Sequence, residues 1–432
     1  MRFRSTRAPA GRTVALSRAL LAGLAPDGGL YVPEALPLRS AEEFADCTTP
    51  AQIAARLLAP FFAGDPLAPH LEGLARDAFG WPLRLRALRG PGPAGRVLEL
   101  FHGPTLAFKD LGARFLAAAL EHLPRASGER LTVLVATSGD TGGAVAAAFD
   151  GRSAIDVVLL YPRGGVSARQ EHQLTCWSRN VRAFAVRGSF DDCQRLVKGA
   201  FADSDLLRSR RLTSANSINV GRLLPQTVPY AWAALLHHRE HGEPLGFVVP
   251  TGNLGNALAA LWARAMGLPV GPVVLVTNAN RAIPESLEHG AWRPRPAVRT
   301  LASAMDVGDA SNMERLLDLV PDWRALRGRV RAFAVDDDEI RARIRMDAER
   351  RGEIWCPHTA AAAEVLATRL AHEGGAFAIV ATAHPAKFEG VVEPLVGRSI
   401  EVPERLAALL RRPACIRELE ATPEALRAVL RV

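Results

Sequence analysis

The chain has 432 residues, 48% hydrophobic and 23% charged, with a formal net charge of +8, which gives room for about two or three domains. No apolar run is long enough to cross a bilayer, and the five cysteines lack the short paired spacing of a metal site or a disulfide framework. Basic residues are scattered among acids, as between Arg341 and Arg351, a pattern that favours small anionic metabolites over nucleic acid or a membrane as partners.

The first 93 residues read as a mostly helical N-terminal region broken by prolines, with a double-glycine turn in Leu24–Pro33. The start is basic and acid-poor but lacks a secretory apolar core, and with unpaired cysteines it reads as cytoplasmic. Gly90–Pro93 reads as a linker. Beyond it, strand, loop and helix alternate. Strands are expected at Leu131–Ala136, Asp156–Tyr161, Val181–Val186, Phe247–Val249, Pro272–Thr277, Val330–Val335 and Phe377–Ala381. They are continuously apolar, as parallel strands covered on both faces require. The fold class is therefore α/β with open, wound sheets. The segments expected are 1–93, 94–230, 231–400 and a helical tail at 401–432.

One stretch organises the reading, Phe101–Asp110. A glycine-proline turn leads through an apolar run to Lys109, and Asp110 opens a helical pattern. Lysine occurs only at 109, 198 and 387. An amine nucleophile must come from these three, because arginine forms no Schiff base with a carbonyl cofactor. A helix N-terminus and apolar neighbours both lower an amine pKa, which favours Lys109 as nucleophile; the alternative is an ordinary surface lysine.

Two strand-to-helix loops have the composition of anion sites. Ala136–Gly143 carries Thr137, Ser138, Asp140 and Thr141, and Pro250–Asn256 carries Gly252, Asn253, Leu254, Gly255 and Asn256. Glycines allow close approach of the backbone, and free N–H groups at a helix start face an anion. Plain capping turns are the alternative. The loop Ala381–Phe388, with Thr382, His384 and Lys387, ends the last strand, where open sheets gather ligands.

Taken in order, Phe101–Asp110, Ala136–Gly142, Asn216–Asn219, Pro250–Asn256, Met305–Arg315, Pro357–Ala360 and Thr382–Phe388 resemble the threonine synthase family, and Ser5–Arg7 with Leu24–Pro33 resembles the N-terminal signature of its longer branch. The resemblance implies a pyridoxal-phosphate enzyme of the tryptophan-synthase-β-like class (fold type II), with the cofactor between two α/β domains. It implies Lys109 as the Schiff-base lysine, Gly252–Asn256 around the cofactor phosphate and Thr382 facing the pyridine nitrogen. It also implies Thr137, Ser138, Asp140 and Thr141 around the substrate carboxylate, and no metal.

Asp140 stands where shorter relatives carry an asparagine that meets the cofactor's phenolic oxygen, so Asn216 or Asn219 is expected there. Lys387, helped by Arg114, is the candidate cation for the substrate phosphate; a surface pair with Glu389 is the alternative. Asp309–Met313 departs from the family's Asn-Pro-Ser-Asn-Phe, and Cys356 stands where an acid often precedes Pro-His. The implied reaction makes L-threonine and phosphate from O-phospho-L-homoserine and water. A phospho-lyase giving a 2-oxo acid and ammonia is the nearer rival, and a non-catalytic basic binding protein the distant one.

Overall fold

The computed structural model describes residues 1–432 apart from 9, 10, 93, 124–128, 138 and 432. In chain order the strands are β1 (Arg2–Ser5), β2 (Thr13–Ala15), β3 (Tyr31–Pro33), β4 (Arg84–Ala87), β5 (Arg96–Glu99), β6 (Leu131–Ala136), β7 (Ile155–Pro162), β8 (Val181–Arg187), β9 (Arg211–Thr213), β10 (Leu245–Pro250), β11 (Val270–Thr277), β12 (Val330–Ala334), β13 (Ala376–Ala381) and β14 (Arg417–Glu420). They form three sheets. An antiparallel N-terminal sheet has the order β2-β1-β3, a larger sheet runs β12-β11-β10-β13-β5-β4, and a smaller one runs β14-β8-β7-β6-β9. In the two larger sheets every pairing is parallel except β4 with β5.

Each of the seven expected strands is present. β6 and β10, interior strands of their sheets, are buried at every residue, which explains their unbroken apolar composition. The sheets cut across the expected segments, however. β5 pairs with β13, so the chain that leads into Lys109 belongs to the larger sheet and not to the 131–213 sheet. The expected linker at Gly90–Pro93 is instead the loop of the β4–β5 hairpin, with Leu88 N donating to Gly95 O at 2.8 Å; Pro93 itself lies outside the described residues. The tail is not wholly helical, because β14 adds an edge strand beside β8. Its alternating Arg417-Glu418-Leu419-Glu420 buries only Leu419, too little apolar signal to read as a strand.

This topology places the C-terminal ends of β6, β10 and β13 around one cleft, where wound sheets bind ligands. The N-terminal region packs behind it. Its helix Pro50–Phe62 starts at a Thr49–Gln52 capping box and buries Ile53, Leu57, Leu58, Phe61 and Phe62. Phe62 meets Phe115 edge-on, at 6.0 Å between ring centroids, on the helix that begins at Lys109.

Candidate active site

Lys109 is the first residue of the helix Lys109–His122. The loop before it is stitched to the end of β13: Leu100 N donates to Ala381 O at 3.0 Å, Phe108 N to Thr382 O at 2.9 Å and His384 N to Leu106 O at 3.0 Å. Leu106 is held at φ 57°, a left-handed conformation that costs a bulky residue energy. Asp110 closes the loop by accepting from Thr105 N at 2.8 Å and Thr105 Oγ1 at 2.6 Å. The Lys109 amine lies 4.5 Å from the Phe108 ring centroid. Burial, then the Arg222 guanidinium, push it down to about 8, and Asp140 pulls the other way.

Across the cleft, the loop after β10 is braced from within. Thr251 Oγ1 donates to Asn256 Oδ1 at 2.7 Å, and Asn256 Nδ2 to Pro250 O at 2.9 Å. Leu254, at φ 60°, turns its side chain into the core, and unlike its neighbours Gly252, Asn253, Gly255 and Asn256 it does not line the cleft. The two glycines differ. A Cβ on Gly252 would lie 2.8 Å from Met305 Cα, whereas one on Gly255 would meet nothing closer than 3.6 Å. Gly252 is demanded by packing; Gly255 faces the cleft and leaves a cradle that a side chain would fill. The helix Gly255–Ala265 starts there, so its free N–H groups face the same space.

A second layer fixes this loop. Asn253 Nδ2 donates to Ser217 Oγ at 2.6 Å, and Asn312 Nδ2 to Asn253 O at 2.9 Å. Arg315, fully buried, donates to the carbonyls of Tyr31, Ser217 and Ile218 and to Asn312 Oδ1. The changed residues around Asn312 therefore leave its contact with the loop intact.

The third wall is the turn after β6. Thr137 Oγ1 accepts from Gly139 N at 3.1 Å and Gly142 N at 2.7 Å, and Asp140 opens the helix Asp140–Phe149. Thr137, Asp140 and Thr141 line the cleft together with Lys109, Asn216 and Thr382; Ser138 lies outside the described residues. Asn216 donates to Ala136 O at 2.7 Å, whereas Asn219 is buried with its amide on Leu20 O and Ser214 O, so of the two only Asn216 reaches the cleft.

Two expected cations are elsewhere. Arg114 pairs with Asp77 and lies over Trp81, away from the cleft. Lys387 is not at the surface with Glu389, nor does it line the cleft. It is completely buried, 2.7 Å from Asp140.

The residues present fit a phosphorylated carbonyl cofactor. The amine faces a glycine cradle at a helix start, and three buried polar atoms at the cleft, Arg222 Nε, Gln226 Oε1 and Asn253 Oδ1, have no partner among the described residues. Residues 97–383 match the family model described as pyridoxal-phosphate dependent enzyme, residues 2–79 that for the threonine synthase N terminus and residues 359–430 that for the threonine synthase C-terminal part. The chain is 38% identical over 423 residues to threonine synthase from Haemophilus influenzae, covering 96% of each chain. The chain belongs to the threonine synthase family. Among solved structures, threonine synthase from Escherichia coli superposes with a TM-score of 0.89 at 36% identity, over 100% of this chain and 99% of that one. The pyridoxal-phosphate-bound threonine synthase from Brucella melitensis gives 0.89 at 36% identity, with the same coverage. As a family member the chain is a pyridoxal-phosphate-dependent lyase of fold type II.

Three contributors escaped the sequence reading. Arg222 and Gln226 line the cleft, and the signal for Arg222 was a charge inside the otherwise apolar run Val220–Pro225. His358 also lines the cleft; its Nε2 accepts from Ala304 N at 3.0 Å. Burial pushes it down to about 4, with Asp140 opposing and Lys109 and Lys387 adding to the effect, so it is a neutral imidazole. Cys356 takes over the capping role of an acid, its Sγ accepting from Thr359 N at 3.5 Å.

Proposed function

We propose that this protein converts O-phospho-L-homoserine and water to L-threonine and phosphate, with Lys109 carrying pyridoxal phosphate. The observation that carries this reading is the depressed amine of Lys109 facing the Gly252–Asn256 cradle across one cleft. When bound, the cofactor supplies an electron sink for carbanions of the substrate. The protein supplies position, charge and protons.

Gly252, Asn253, Gly255 and Asn256, with the backbone of Leu254, would hold the cofactor phosphate at the helix start. The Thr382 hydroxyl would meet the ring nitrogen; unlike a carboxylate it would not hold a proton there. Asn216 would be the contact for the phenolic oxygen. Thr137, Ser138 and Thr141 take the substrate carboxylate, with Asp140 fixing the turn that carries them. Near neutral pH an amine with a pKa of about 8 exchanges protons readily, so the Lys109 amine would serve as base and acid at the substrate's α- and β-carbons.

For the substrate phosphate, Arg222 replaces Lys387 as the candidate. It is buried and lines the cleft, its Nε has no partner among the described residues, and burial lowers it only to about 10, so it stays a cation. Lys387 already has a carboxylate. A cytoplasmic setting goes with this reading, supported by five free cysteines, four of them buried.

Incubation with pyridoxal phosphate and O-phospho-L-homoserine tests the proposal. Threonine and inorganic phosphate in equal amounts are expected. A 2-oxo acid with ammonia would overturn it in favour of a phospho-lyase.

A further inference from the structure

A buried ion pair lies just behind the cleft. Lys387, on the short helix Pro385–Phe388 after β13, meets Asp140 at 2.7 Å, with the two side chains 0% and 6% exposed. Its Nζ also donates to Thr105 O at 2.8 Å, in the loop that carries Lys109. Around the pair, Gln170 Nε2 donates to Asp140 Oδ1 at 3.0 Å, and Ser167 Oγ to Lys387 O at 3.0 Å. Four separate chain segments thus meet at two opposite charges.

Burying such a pair costs desolvation that an apolar pair of similar size avoids, so stability alone is a weak reason for it. The surroundings supply another reason. Asp140 also faces the cleft, and the charged or titratable groups near it are Lys387, Lys109, His358 and the Cys356 thiol. Lys109 is faced in turn by Arg222 from the helix Val220–Leu223, by Asp140 from its own helix, and by the neutral His358 from Pro357–Thr368. Asp140 is therefore the carboxylate that favours the ammonium form of Lys109. An unpaired carboxylate there would hold Lys109 charged, because opposite charges in a dry site attract strongly.

We propose that Lys387 is a positioning residue for the Lys109 amine: by neutralising Asp140 it stops that carboxylate from becoming the counter-ion of Lys109, and so keeps the amine free to attack a carbonyl. Pair and amine then form one charge arrangement, in which Asp140 is tolerated at the cleft because Lys387 stands behind it. The inference rests on the reading that Lys109 is the nucleophile.

The test is the titration of Lys109 in the cofactor-stripped full chain, by competitive acetylation from about pH 6 to about pH 11 with peptide mass readout. Wild type should titrate near 8. Lys387→Met should move the midpoint up by about one unit or more, and Asp140→Asn should move it down. The double variant D140N/K387M should return near wild type. An unmoved or lowered midpoint in Lys387→Met overturns the proposal. Should that variant fail to fold by circular dichroism, Lys387→Gln takes its place: the midpoint must again rise, and an unmoved or lowered midpoint overturns the proposal. Borohydride reduction of wild type with pyridoxal phosphate separates the two readings. A pyridoxyl group away from Lys109 refutes the underlying function reading, whereas a group on Lys109 with unmoved titrations refutes only the role of Lys387.

Discussion

Replacing Gly255 by alanine separates what the fold needs from what the cofactor needs. A Cβ there would find Ser217 Cβ at 3.6 Å, Asn312 Nδ2 at 3.8 Å and Gln226 Oε1 at 3.9 Å, all ordinary contacts. Gly255 also begins a helix, where alanine is preferred over glycine by up to about 1 kcal/mol. The cofactor-free Gly255→Ala protein should therefore be as stable as wild type, or slightly more stable, in urea unfolding. Its affinity for pyridoxal phosphate should nevertheless fall. The methyl group occupies the space through which backbone N–H groups reach the phosphate, and losing one charge-assisted hydrogen bond of about 1.5–3 kcal/mol weakens binding roughly ten- to a hundredfold. Gly252→Ala is the counterpart. Its Cβ would press on Met305 Cα at 2.8 Å, Val307 Cγ2 at 3.0 Å and Ala304 O at 3.1 Å, and should destabilise even the cofactor-free protein by about 1–3 kcal/mol. Fluorescence titration with pyridoxal phosphate beside urea unfolding reads both quantities. Unchanged affinity in Gly255→Ala, or lost stability without the cofactor, would refute the reasoning.

The rate of cofactor attachment to the stripped protein should rise with pH with a midpoint near 8, the value to which burial and Arg222 bring Lys109. The sign follows from the chemistry: only the neutral amine attacks, so the reactive fraction grows as pH passes the lowered pKa. Stopped-flow absorbance measures it, and a midpoint near the ordinary 10.5 would contradict the assignment. Arg222→Met should reduce turnover of O-phospho-L-homoserine by roughly a hundredfold while changing the binding of a phosphate-free analogue little, since a desolvated arginine–phosphate contact contributes about 2–3 kcal/mol. Equal losses for both ligands would return Arg222 to a purely structural place.

Much of this was legible in the chain because the relevant signals are local. β6, β7, β8, β10, β11, β12 and β13 announce themselves by apolar runs, and the loops after β6 and β10 by their small polar residues. β1 was hidden by its arginines, although its alternation buries Phe3 and Ser5 and turns Arg2 outward. β5 is only four residues long and ends in charges, so its pairing with β13 had no local signal. At the site, Lys109, Thr137, Asp140, Asn216, Gly255 and Thr382 come together as expected. The fate of Lys387 was not readable. Its partner lies in another sheet-and-helix layer, and only the topology shows that the turn after β6 reaches the end of β13. Arg114 failed for a related reason: a helix face cannot be assigned until the packing of the N-terminal region, here through Asp77 and Trp81, is known.

The most direct test of the central claim is to reduce the pyridoxal-phosphate-loaded protein with borohydride and map the modified peptide. The chain offers three lysines, at 109, 198 and 387. A phosphopyridoxyl group is expected on Lys109 and none in a Lys109→Ala protein; a group on Lys198 or Lys387 would contradict this assignment.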